Sequence, residues 1–146
     1  MEPRDVLKNI YLFRDADPED LAAVAAIVQR KAYMVAEYVF QVGDTPDALF
    51  VVESGTVDLI LKDKELPVGS VASGQALGEL AFFDRRERVA SAYTRESTYL
   101  LRLPFAELDQ VFAERPNLAL TFYRHACVLA ARHLRALLPD ISRRYF

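Results

Sequence analysis

The residues best suited to chemistry in this 146-residue chain are Gly78-Glu79-Leu80-Ala81 and, after six further positions, Arg88. Glycine at 78 tolerates positive φ and lets the backbone approach a ligand closely. The residues after it predict a short helical turn whose first amides, at Leu80 and Ala81, have no intrahelical acceptor. Unpaired N–H groups at a helix start, backed by the macrodipole, favour an anion. Arg88 adds a planar fork of donors that matches two oxygens of one phosphate. Glu79 repels a phosphate but accepts hydrogen bonds from hydroxyl groups. An anion site with a hydroxyl acceptor beside it suits a sugar phosphate. Surface ion pairs between Arg88 and its charged neighbours would contribute only ~0–1 kcal/mol, too little to account for this placement.

The pattern GELA, six residues, then arginine resembles the phosphate-binding cassette of the cyclic-nucleotide-binding domain family. That family includes the catabolite activator protein and the regulatory subunits of cyclic-AMP-dependent kinase. The resemblance implies that Glu79 holds a ribose 2′-hydroxyl, while Arg88 and the amides of Leu80 and Ala81 hold a cyclic phosphate. Gly78, Val89 and Ala90 complete the implied ligand-binding set, with Val71 and Leu77 as further candidates. In the long C-terminal helix, Leu129 to Leu134 is similar to the stretch that caps the base in bacterial members. That likeness makes Arg132 and His133 candidates for reaching adenine. Val89 departs from the family pattern, which usually has Ala, Ser or Thr after the arginine. It offers no hydroxyl to a phosphate or a guanine, so the implied ligand is cyclic AMP rather than cyclic GMP.

A chain that is 52% hydrophobic and 27% charged predicts a single globular domain over 1–146 with a sizeable core. Its net charge of −3 gives no general attraction to nucleic acid or an anionic membrane. One cysteine, Cys127, excludes an internal disulfide and fits a reducing compartment. It is read as a small core residue. No apolar run approaches the ~20 residues that span a bilayer, and the N-terminus lacks a secretory apolar segment. A cytoplasmic location is expected.

The segments around the cassette must position it. Residues 1–30 read as a small helical bundle. In it Leu7, Ile10, Leu12 and Phe13 form an apolar surface, and Asp17-Pro18-Glu19-Asp20 opens a helix running to about Gln29. From 31 to 103 the period changes to strands: Tyr33 to Phe40, Leu49–Glu53, Thr56–Leu61, Val68–Val71, Val89–Tyr93 and Thr98–Leu103. Turns fall at Gly43-Asp44, Ser54-Gly55, Gly74 and Thr94–Ser97, and the charged stretch 62–65 reads as a solvated hairpin tip. Many short strands separated by turns suggest a closed or double-sheet β structure. The glycine spacing in F-x2-G-D, L-F-V-V-x2-G-x-V and G-x3-G-E-L resembles the family's jelly-roll barrel. The fold class is therefore α+β, mainly β: a jelly-roll β-barrel carrying the cassette at 78–90, flanked by N-terminal helices and a long C-terminal helix.

Residues 104–146 read as helical. Phe105–Ala113 forms a short helix, Arg115-Pro116-Asn117 breaks it, and a longer one spans 118–138 and stops before Pro139. Ala119, Phe122, Ala126, Leu129 and Ala136 share one face, interrupted by His133. Leu120, Tyr123, Cys127, Ala130, Leu134, Leu137 and Ile141 fill a second. A helix apolar on two faces needs two surfaces to cover it, here the barrel and a second copy of itself, which predicts a parallel homodimer through 118–138.

The expected function is a regulatory sensor domain that binds a cyclic nucleotide and signals through the terminal helix to a protein partner or a downstream domain. The alternatives are a nucleotide-independent dimerisation module with a degenerate pocket, or the sensor part of a longer transcription regulator. By the resemblance, such regulators continue into a helix-turn-helix. This sequence stops at Phe146, so no DNA binding is expected of it alone, and its start at Met1 favours an N-terminal domain or a complete small protein. No enzyme activity, metal or cofactor is expected. The two histidines, His125 and His133, stand eight apart on one helix, unlike the usual four-residue metal pair. A cupin-like enzyme would need histidines on the strands, and residues 31–103 have none. Arg85 and Arg86 are read as solvated, or as positive potential at the pocket mouth.

Overall fold

The computed structural model describes residues 2–145, with side chains as far as Asp140. Among the described residues, eight strands form two antiparallel sheets. They are β1 (Gln29–Tyr33), β2 (Tyr38–Phe40), β3 (Ala48–Ser54), β4 (Thr56–Leu61), β5 (Gly69–Ala72), β6 (Ala76–Leu77), β7 (Ala90–Thr94) and β8 (Thr98–Pro104). One sheet runs β1-β8-β3-β6 and the other β2-β7-β4-β5. The jelly-roll-like body is thus a two-layer sandwich. Among the described residues no ladder joins the sheets into a closed barrel.

Strand β3 explains how the layers stack. Its run Ala48-Leu49-Phe50-Val51-Val52 is almost fully buried on both faces, as expected of a central strand covered on each side. Ala48, Phe50 and Val52 point between the sheets, toward Val57, Val71, Leu77, Ala92 and Leu100. Leu49 and Val51 point the other way, into a second core shared with Leu101, Leu103 and the helices. Alternate side chains of a strand face opposite sides, so one strand ties the sandwich core to the helical core.

The helices are α1 (Pro3–Leu7), α2 (Pro18–Ala25), α3 (Glu79–Asp84), α4 (Phe105–Glu114) and α5 (Pro116–Tyr145), with a single 3-10 turn at Tyr11–Phe13. Leu7, Ile10, Leu12 and Phe13 are all buried. Asp17 precedes α2 without a side-chain capping bond. Helix α2 stops four residues short of the expected Gln29. Its last turn tightens, with the N–H groups of Ile27 and Val28 donating to the carbonyls of Val24 and Ala25. Gln29 then pairs with Arg102 as the first rung of the β1–β8 ladder, and that tertiary pairing overrides local helix propensity. The two-residue strand β6, which pairs with Phe50 and Val51, was not predicted.

Helix α5 also departs from expectation, because it runs through Pro139. A proline inside a helix removes one backbone bond at a cost of ~3 kcal/mol. A long helix already formed still gains a bond for each residue it adds beyond that point. On α5, Leu118, Phe122 and Ala126 are buried against the core and Leu129 is partly so. The second face is open: Leu120, Tyr123, Leu134 and Leu137 are exposed. Cys127 is exposed on that face rather than in the core, and Ile141 lies outside the described side chains. Among the described residues, no helix is long and apolar enough to cross a membrane.

Candidate functional site

The site begins at the end of β6, where the chain turns on Gly78. Its φ of +79° is strained for an L side chain, and an added Cβ would lie 2.6 Å from Arg88 Nη1. Glycine therefore meets both requirements at once, the turn and the close approach. Helix α3 follows and closes at Arg85, itself in the left-handed region with φ of 58°. The Arg85 side chain fixes this ending: Nε donates to the Phe82 carbonyl at 3.0 Å, and Nη2 bridges both oxygens of Asp109 at 2.7 and 2.8 Å. Arg85 therefore joins α3 to α4 while its side chain stays exposed to solvent.

Arg88 sits in the wall of the sandwich, 5% exposed. Nη1 donates to the Gly78 carbonyl at 3.0 Å and Nη2 to the Ala48 carbonyl. The guanidinium carbon lies 4.1 Å from the centre of the Phe40 ring. Its backbone is held as well, since Arg88 N–H donates to Asp44 O and Gly43 N–H to Arg88 O. The turn at Gly43-Asp44 thus clamps the strand end that carries the arginine. Nε has no partner, and among the described residues it is the one buried side-chain nitrogen or oxygen so left. Burial pushes the guanidinium pKa down, opposed by Asp47, Asp44 and Glu79. Arginine starts so high that it remains a cation at neutral pH.

Arg88 borders a cavity of about 530 Å³, a size suited to a small organic ligand. Gly78, Glu79, Leu80, Ala81, Val89 and Ala90 line it together with Val71, Leu77 and His133. Arg132 does not. It lies 5.1 Å from the Tyr11 ring centre, around the helix from His133. Leu129, the first residue of the stretch read as base-capping, also lines the cavity; sequence reasoning missed Phe40 and Tyr11, which line it too, and the Ala48 carbonyl that anchors Arg88. Phe40 was visible as the first letter of F-x2-G-D, but nothing local to it points to an arginine 48 positions on.

Glu79 stands half-buried at the start of α3. Burial raises its carboxyl pKa above the usual value, while its own backbone N–H, His133 and Arg88 pull the other way. Its carboxylate is thus poorly hydrated, which suits it to accept a ligand hydroxyl. Behind the cavity, α3 packs into an aromatic cluster. Phe82 lies 5.8 Å from Phe122 and 6.1 Å from Tyr123, and Phe83 lies 6.0 Å from Tyr123. The cassette and α5 therefore share one packed interface. Among the described residues no cluster of His, Cys, Asp or Glu could hold a metal ion.

Comparison with known proteins identifies the family. The sequence model of the family "Cyclic nucleotide-binding domain" matches residues 30–115. The cyclic AMP receptor protein of Thermus thermophilus is 33% identical over 132 residues, covering 88% of this chain and 59% of that protein. The cAMP-dependent protein kinase regulatory subunit of Candida albicans is 35% identical over 86 residues, 59% of this chain and 18% of that one. This chain thus spans less than two thirds of either relative. Among solved structures, the Thermus thermophilus catabolite activator protein superposes with a TM-score of 0.77 at 27% identity, over 90% of this chain and 62% of that one. The regulatory domain of Toxoplasma gondii PKA, solved with cAMP, superposes with a TM-score of 0.70 at 25% identity, over 75% and 43%. With the cassette, the sandwich and these likenesses in agreement, the chain belongs to the cyclic-nucleotide-binding domain family as a regulatory domain.

Proposed function

We propose that the cavity binds cyclic AMP and that binding is reported through α5. The observation that carries this reading is the buried guanidinium of Arg88, which borders the cavity with its Nε left without a partner. A buried cation with a spare donor is favoured when an anion supplies the missing acceptor. The Leu80 and Ala81 amides at the start of α3 add donors, Glu79 takes the ribose hydroxyl, and Leu129 and His133 wall the far side. Val89, 64% exposed at the cavity edge, supplies no hydroxyl to a guanine, which favours the adenine nucleotide.

Binding tightens the cassette around the phosphate, and α3 pushes on α5 through Phe82, Phe83, Phe122 and Tyr123. Coupling between such sites is typically ~1–3 kcal/mol. The open face of α5, with Leu120, Tyr123, Leu134 and Leu137, fits a second copy of the chain in a parallel homodimer. The dimer would pass the shift to a partner protein or a further domain. Residues 1–146 act in this reading as one sensor unit, without DNA binding of their own.

The decisive experiment is a thermal-melting titration with cyclic AMP, cyclic GMP and AMP as the non-cyclic control. A ligand at a hundred times its Kd stabilises by ~2.7 kcal/mol, so cyclic AMP raises the melting temperature most. No shift with any cyclic nucleotide would replace this reading with that of a dimerisation module whose pocket is degenerate. Light scattering tests the dimer, and a monomer at micromolar concentration with and without ligand rules it out.

A further inference from the structure

The charges around the cavity do not balance for every phosphate. Glu79, Asp84 and Glu87 line it, against Arg88 as the permanent cation among the described lining residues. Arg88 also faces Asp44 and Asp47. Of the nearby cations, Arg85 is bridged to Asp109, Arg102 pairs with Asp47 at 2.9 Å, and Arg132, outside the lining, stands 5.1 Å from the Tyr11 ring centre. Arg86 is exposed and does not border the cavity, although its N–H donates to Asp84 Oδ1 at 3.0 Å. His133 is the lining imidazole. Two of the three guanidinium nitrogens of Arg88 are already bonded to carbonyls. The site therefore holds one cation's worth of compensation inside a ring of carboxylates.

We propose that Asp84 and Glu87, exposed carboxylates on the rim of this cavity, select its ligand by charge. They admit a singly charged phosphodiester and turn away phosphomonoesters and polyphosphates. This rests on the reading of the cavity as a cyclic-nucleotide site. A phosphodiester carries one negative charge, which Arg88 matches. A phosphomonoester, with its second pKa near about 6, carries close to two at neutral pH. The second charge finds no cation and sits beside the rim carboxylates, where like charges repel. Selectivity then comes from a repulsive element as well as an attractive one. It guards a regulatory site against the far commoner nucleotides that share its base and sugar.

The test separates charge from ring closure by using three ligands: cyclic AMP, AMP, and the methyl phosphodiester of AMP, which is open-chain but singly charged. Isothermal titration at neutral pH and low salt compares the wild type with the double variant D84N/E87Q. Both substitutions keep the side-chain shape, and the amide introduced at position 84 still offers an oxygen to the Arg86 N–H. The wild type binds the methyl ester more tightly than AMP, and the variant narrows that gap about five- to tenfold. Added salt narrows the wild-type gap in the same direction, a measurement that needs no variant to fold. A gap unchanged by both salt and substitution, in a wild type that binds cyclic AMP, overturns the rim's role and leaves the site intact. A wild type that binds no cyclic nucleotide overturns both.

Discussion

Among the described residues, two of the places where the sandwich buries polar side chains are treated in opposite ways. At the β7–β8 end, Thr94 and Thr98 are buried and fully partnered. Thr94 Oγ1 accepts from the Glu37 N–H at 2.8 Å and donates to the Met34 carbonyl at 2.6 Å. Thr98 Oγ1 donates to the Glu96 carbonyl at 2.8 Å. At the cassette, Arg88 is buried nearly as deeply, yet its Nε has no partner. A buried polar group that is satisfied adds rigidity, whereas one left short carries a free-energy penalty that only a ligand, water or ion relieves. The first place is architecture, and the second is the site where the proposed ligand would supply the missing acceptor. Each can be broken separately.

The largest effect falls on the receptor side. Arg88→Ala removes the cation that would face the phosphate, and an uncompensated buried charge typically costs ~3–5 kcal/mol. Calorimetry should then show cyclic AMP affinity reduced by roughly 10²–10³-fold. The carbonyls of Gly78 and Ala48 lose their donor as well, so the melting temperature also falls. The two losses are read in separate measurements, and unchanged affinity would remove Arg88 from the site.

Two glycines extend the comparison to the backbone. A Cβ at Gly55, with φ of +101°, would lie 2.7 Å from Ser97 O and from Thr98 Cα, both backbone atoms that cannot yield. Gly55→Ala should cost about 3 kcal/mol or more in chemical denaturation, with the affinity of the folded fraction unaltered. At Gly78 the obstacle is Arg88 Nη1, the far end of a side chain that can shift. Gly78→Ala should lose less stability and more affinity. The reverse pattern would mean that the cassette glycine serves the fold alone.

Thr94→Val keeps the shape and removes the hydroxyl. The Glu37 N–H and the Met34 carbonyl are then left without it inside the protein, at ~1–3 kcal/mol. Denaturation should register that loss while nucleotide affinity stays within error. An affinity change here would show that the two polar sites are coupled.

How far these features could be read beforehand depends on whether their causes are local. That the cassette residues would gather at one cavity was legible because its chemistry is concentrated in residue types at fixed spacing, and the resemblance of Gly78 to Arg88 supplied the roles proposed for them. Most strands were legible too, since β3 and β4 carry apolar runs broken at Ser54-Gly55. The end of α2 was not, because β1 exists only through β8, some seventy positions away. The same holds for the hold on Arg88: a backbone carbonyl at Ala48 leaves no mark in a sequence. Cys127 fitted a core helix by composition, yet α5 turns that face outward. Arg132 and His133 are adjacent in sequence and about 100° apart around a helix. Only His133 reaches the cavity.

The smallest effect sharpens the comparison most, because it runs in opposite directions for fold and ligand. Burial holds the Glu79 carboxyl above its ordinary value of 4.5. The folded protein therefore binds that proton more tightly than the unfolded chain does. Stability of the empty protein accordingly declines as pH rises through the interval between the ordinary and the raised value. Ligand binding has the other sign, since a ribose hydroxyl donates to the ionised form, and affinity falls as pH drops through the same interval. Glu79→Gln removes the ionisation while keeping an acceptor. At neutral pH it should raise the melting temperature of the empty protein and weaken cyclic AMP by about tenfold. It should also flatten the affinity profile above pH 4.5. A variant that lost stability and affinity together would place Glu79 with the threonines, as a partner in the fold rather than a group that serves a ligand.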